Sequence, residues 1–165
     1  MRGIAVFGLV AAALLGLTPV EAADDLVTAY EPAGMARVLQ DAGYTLTLGD
    51  DDYGDPSITI KLGDYDATIY FYGCDEETHD RCDSIQLRAG MDRQNPMPLT
   101  LVNTLTQKYR FAALNLDDEG DPWINFDIVL GSGIPKDVFL LAVKNYSDGL
   151  PVLADAVFAE ERGKN

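Results

Sequence analysis

Side chains of one chemistry crowd together at two places in this chain: Asp50-Asp51-Asp52-Tyr53-Gly54-Asp55-Pro56 and Asp117-Asp118-Glu119-Gly120-Asp121-Pro122. Hard cations such as calcium take several carboxylate and carbonyl oxygens at one point, so each run is first tested as a cation loop. The spacing does not match the calcium-loop pattern. Counted from Asp50, Gly54 falls at the fifth position, where a ligand belongs, and Lys61 falls at the twelfth, where a bidentate glutamate belongs. Counted from Asp117, the twelfth position is Ile128. Solvated turns fit the residue types better, because glycine supplies positive φ and aspartate bonds its own backbone. A divalent-cation or small-ligand site at the acidic turns is the alternative.

Nucleophilic catalysis needs an activated Ser, Cys or Thr beside a base. His79 is the one histidine, set among Glu77, Thr78 and Asp80, and reads as an exposed loop imidazole. No pair of carboxylates is marked out by spacing or by apolar neighbours that would raise a pKa. A Gly-rich phosphate loop, a His-Glu-x-x-His and a nucleophile elbow are all missing from the sequence. No catalytic residue, cofactor site or metal ligand is therefore assigned, and the expectation is a protein that is not an enzyme.

The two cysteines depend on the compartment. Met1 and Arg2 give a positive start, Ile4 to Leu17 carry no charge, and Val20-Glu21-Ala22 place small residues where a signal peptidase cuts. Residues 1–22 read as a signal peptide, with a periplasmic or secreted chain over residues 23–165. A membrane anchor is the rival reading, but the apolar run is shorter than the roughly 20 residues of a spanning helix, and no stable span is expected after cleavage. In an oxidising compartment Cys74 and Cys82 are expected to pair, since a metal site would need further ligands.

With 12 basic and 27 acidic residues the net charge is −15, and loss of Arg2 and Glu21 with the leader leaves it there. Nucleic acid is excluded, because its affinity rests on Lys and Arg neutralising phosphates. The acidic excess keeps molecules apart in solution, and it also suits a basic partner or cations.

These residues must be positioned by elements that the hydrophobic pattern reveals. Met35, Val38 and Leu39 predict a helix from Pro32 to Asp41, with Gly43 as its stop. Tyr44, Leu46 and Leu48 alternate as a strand, and further strands follow at residues 57–62, 65–72 and 85–89. After the breaker Asn95-Pro96-Met97-Pro98, Leu99, Val102, Leu105 and Tyr109 mark a second helix. Strands at residues 112–116 and 123–130 come next. Pro135 then opens a long amphipathic segment to about Glu161, which Gly149 and Pro151 are expected to kink or break. The result is one α+β domain, core about residues 32–158, with an antiparallel sheet of five to six strands flanked by helices in the order α-β-β-β-β-α-β-β-α.

The two acidic turns match at an offset of 66 residues, each after a helix and a strand. They mark either two related helix-plus-hairpin units or the same turn chemistry reached twice. On the strands, Tyr70 and Tyr72 alternate away from Ile69 and Phe71, and Trp123 alternates away from Ile124, Phe126 and Ile128. Tyr70, Tyr72 and Trp123 are therefore the candidate partner-binding face, for a protein partner or for self-association as a homodimer. The competing reading is that the terminal helices cover them.

Phe71-Tyr72-Gly73-Cys74, Cys82-Asp83-Ser84-Ile85-Gln86-Leu87-Arg88-Ala89-Gly90, the Arg110-Phe111 that ends the second helix, and Asp118-Glu119-Gly120-Asp121-Pro122 occur in an order that resembles the YbjN-domain family. The resemblance covers about residues 32–158. It implies a fold similar to type III secretion chaperones and a regulatory role in bacterial sensory transduction or envelope stress, without a catalytic motif to carry over. Secretion chaperones are cytosolic and this chain carries an export leader, so effector chaperoning is not carried over. The expected kink at Gly149 to Pro151 likewise argues against pairing through the last helix.

Overall fold

Period-2 alternation of apolar side chains becomes a sheet of six strands. The computed structural model describes residues 26–110 and 112–163, so the expected leader over residues 1–22, and Phe111, lie outside the described residues. The order is β1 (Leu26–Val27), α1 (Pro32–Asp41), β2 (Leu46–Asp50), β3 (Pro56–Leu62), β4 (Tyr65–Tyr72), β5 (Ser84–Gly90), α2 (Leu99–Lys108), β6 (Ala113–Leu116), β7 (Pro122–Val129), β8 (Ile134–Pro135), α3 (Lys136–Val157) and α4 (Ala159–Arg162). The expected mixed α+β domain is present. The pairs β1 and β8, two residues each, form a separate small ladder that is too short for periodicity to reveal.

The main sheet runs β2-β3-β4-β5-β7-β6, antiparallel throughout. Ile58, Ile60, Ile69, Phe71, Ile85, Leu87 and Ile124 point to one face and are fully buried. Against them lie Met35 and Leu39 of α1 and the stripe Phe139, Val143, Tyr146, Leu150, Leu153 and Val157 of α3. Tyr146 brings a hydroxyl into this core and donates it to the Ile124 carbonyl at 2.7 Å. Burial raises the Tyr146 pKa far above the ordinary phenol value, so the group stays protonated.

Two expectations change. α3 continues unbroken through Gly149 and Pro151. A proline inside a helix removes one backbone donor, but Tyr146, Leu150, Leu153 and Val157 bury one continuous stripe on both sides of it, and that burial outweighs the local loss. The argument against helix-mediated pairing falls with the kink. Leu99, placed on the apolar stripe of α2, is 75% exposed, and Leu105 is the only fully buried residue of that helix. α2 ends at Lys108, two residues before Arg110.

The acidic echo belongs to an internal two-fold. Asp51 Oδ1 accepts the Tyr53 and Asp55 N–H groups at 2.9 and 3.0 Å; Asp117 Oδ1 accepts those of Glu119 and Asp121 at 3.1 and 2.8 Å. Gly54 and Gly120 hold φ of 88° and 86°, the left-handed geometry both turns require. The same offset maps α1 on α2, β2 on β6 and β3 on β7. It carries the Ser57↔Tyr70, Thr59↔Thr68 and Lys61↔Asp66 pairs onto Trp123↔Gly90, Asn125↔Arg88 and Asp127↔Gln86. β4 and β5 thus exchange roles about an axis between Thr68 and Arg88, which face each other. The last pair of each set is closed by a side-chain hydrogen bond, Lys61 to Asp66 at 3.1 Å and Gln86 to Asp127 at 2.9 Å.

Candidate functional site

α1 and α3 pack on the inner face of the sheet, and the alternate positions of β4, β5 and β7 point to the opposite, outer face. Tyr70, Tyr72 and Trp123 all lie on it, as their alternation requires. Tyr72 is 44% exposed; Tyr70 and Trp123 are half-buried. Burial raises the Tyr72 pKa, with the nearby Arg88 charge pulling it back.

Arg88, between the aromatic strands, ties the set together. Its guanidinium carbon lies 4.5 Å from the Trp123 ring centroid and 5.9 Å from that of Tyr70, both within cation–π range. The indole is fixed from two sides. Its Nε1 donates to Asp117 Oδ2 at 2.9 Å, and its ring lies over Gly90, where an added Cβ would come within 3.1 Å of a ring carbon. The hydrogen bond from Trp123, followed by that from the Asp121 N–H, holds the Asp117 carboxyl below the usual carboxylate range. The second acidic turn therefore anchors the aromatic face.

Asn125, opposite Arg88, is buried, and its amide nitrogen donates to Asn115 of β6. Asn125 Oδ1 and Arg88 Nε are buried without a hydrogen-bond partner, and Arg88 makes no ion pair among the described residues. Arg88, Asn125 and Gly90 were not among the candidates drawn from sequence. The signal available was weak: Arg88 alternates outward from Leu87 and Ala89, but Trp123 and Asn125 come to it from β7, a strand beyond α2.

The remaining sequence candidates sit elsewhere. Cys74 and Cys82 are joined by a disulfide. The loop they close folds back on the first acidic turn, where His79 Nδ1 lies 2.7 Å from Asp55 Oδ1, so the imidazole is a docking contact rather than a free loop side chain. In the second turn the equivalent Asp121 accepts the Arg93 N–H at 2.9 Å. The carboxylates Asp51 and Asp117 are turned onto their own backbone. Among the described residues no group of three or more His, Cys, Asp or Glu side chains converges as metal ligands, and no helix is long and apolar enough to cross a membrane.

A groove of about 620 Å³ opens on the other side of the molecule, between Leu26, Thr28, Arg37 and Val38 and the start of α3 at Lys136. It is remote in sequence from the aromatic strands.

Comparison with protein families gives one match. The family model YbjN, described as "Putative bacterial sensory transduction regulator", matches residues 31–155, a span that runs from the start of α1 through all six strands of the main sheet into α3. No curated protein matches the chain.

Proposed function

The chain belongs to the YbjN family, and from that premise we propose that it is an exported, non-enzymatic binding module whose outer sheet face engages a protein partner. The observation that carries this reading is the internal two-fold. Ser57, Thr59 and Thr68 occupy the positions equivalent to Trp123, Asn125 and Arg88. The same backbone is thus built with small hydroxyl residues in one unit, so the fold does not demand tryptophan, asparagine and arginine in the other. Trp, Tyr and Arg are the residues enriched at protein interfaces and among their hot spots.

The disulfide supports residence in an oxidising compartment. A net charge of −15 opposes close approach of a second copy, which favours a different protein over self-association. The test is a pull-down from periplasmic extract with the oxidised protein, comparing wild type with a Tyr72→Ala/Trp123→Ala variant. A protein retained by the wild type alone is the expected result. Equal retention by both forms, or retention of nothing, overturns the assignment of the face.

A further inference from the structure

We infer that the protein pairs with a second copy of itself through the β6 edge of the sheet, strand against strand in antiparallel order, with the α2 helices of the two copies brought side by side. This surface is separate from the outer face and does not depend on it.

The sequence is free of acids in one place. Between Asp92 and Asp117 there is no Asp or Glu, whereas beyond residue 22 every other acid-free run is ten residues or shorter. That stretch builds α2 and β6, and β6 closes one end of the strand order. An edge strand presents a row of unpaired N–H and C=O groups, a template for another strand. The net charge of −15 repels a second copy from the rest of the surface, and this edge is where that repulsion is weakest.

The charges on either side of β6 name the occupant. Lys108 and Arg110 precede the strand, Asp118 and Glu119 follow it, and all four are exposed. A two-fold antiparallel pairing sets the basic flank of each copy against the acidic flank of the other, whereas parallel pairing would set like against like. Such an isologous contact closes at two copies. The opposite edge, β2, has no such complement. No Lys or Arg lies between Arg37 and Lys61, and acids stand on both sides of the strand, Asp41 before it and Asp50, Asp51 and Asp52 at and after its end.

The internal two-fold shows what α2 lacks. Met35 and Ala36 of α1 are buried, 1% and 6% exposed, while their equivalents Leu101 and Val102 in α2 stay half-buried. Leu99, 75% exposed, and Val102 both stand where α1 carries alanines, Ala33 and Ala36. The second unit thus places larger apolar side chains where its own fold leaves them in contact with water, and a neighbouring α2 covers them. Their burial and the strand bonds supply the affinity, and the flanking charges set the orientation.

The experiment is analytical ultracentrifugation of the oxidised protein across a concentration series, with hydrogen exchange read in parallel. A dimer is expected, and exchange of the Ala113 to Leu116 amides should slow as it forms, an arm that needs no variant. Lys108→Glu/Arg110→Glu and Asp118→Lys/Glu119→Lys are each expected to weaken pairing by roughly tenfold or more, because each sets like charges together. The four changes combined make the flanks opposite again and should restore the dimer. A monomer at every concentration overturns the inference. A dimer that is indifferent to both swaps, or that leaves β6 exchange unchanged, overturns it by placing the contact elsewhere. A folded combined variant that stays monomeric overturns the antiparallel arrangement.

Discussion

Trp123 Nε1 donates a hydrogen bond to Asp117 Oδ2 at 2.9 Å, so the first acid of the second turn fixes the aromatic ring two positions into the strand that follows. The chain has one tryptophan, and its emission reports this bond directly.

The Asp117 carboxyl lies below its ordinary value of 3.8 because its charged form accepts bonds from Trp123 and then from the turn backbone. A carboxyl depressed on folding contributes stability that is fully present above the unfolded pKa, about 3.9, and is lost as pH falls through the folded value. Trp123 emission is expected to stay constant from pH 7 to about 4 and to change only below that range. A fluorescence titration of wild type against Asp117→Asn checks this, with the transition missing from the variant. A wild-type midpoint above the ordinary carboxylate range would count against the bond.

Gly90→Ala places a methyl group within 3.1 Å of the indole. The ring must give by a few tenths of an ångström, and overpacking of this kind costs about 1–3 kcal/mol where the ring cannot relax. Urea unfolding and the emission maximum of Trp123 should both change. An alanine variant with unaltered stability and spectrum would mean that the indole does not rest there.

Arg93 has a side chain only 2% exposed; it donates to the Val157 and Asn95 carbonyls and lies 3.6 Å from Glu161. Arg93→Met leaves Glu161, 13% exposed, without its cation. Removing one member of a largely buried pair costs about 3–5 kcal/mol. Thermal unfolding of Arg93→Met should show this loss, and adding Glu161→Leu should restore part of it. No recovery in the double variant would assign the cost to the lost carbonyl bonds instead.

A Cys74→Ser/Cys82→Ser variant opens a short loop and should lose roughly 2 to 3 kcal/mol by the chain-entropy estimate. Because the same loop carries His79 onto Asp55, hydrogen exchange should rise around Gly54 as well as within residues 74–82. Exchange confined to the loop would separate the disulfide from the turn it docks on.

The local elements were legible because their signals are local. Alternation placed β3, β4, β5 and β7, and the Asp-Gly turns were readable from residue type. The unbroken α3 was not, because the cost of Pro151 is written in the helix while the burial of Tyr146, Leu150 and Val157 depends on a sheet assembled elsewhere. Leu99 was misplaced for a related reason: a 3.6-residue period shows which residues share a helix face, not how much of that face finds a partner. At the candidate site, alternation alone placed Tyr70, Tyr72 and Trp123 on one face of the sheet. Arg88 escaped because its setting depends on β5 pairing with β7 across an intervening helix and strand, and pairing between non-consecutive strands has no local signature.

The internal two-fold also bears on orientation. A sheet whose two halves superpose on themselves offers a partner two docking poses related by a half-turn, and a ligand reading backbone shape alone would populate both. The exchange of Trp123 for Ser57 and of Arg88 for Thr68 removes that degeneracy, so a partner of the proposed kind is offered a single pose.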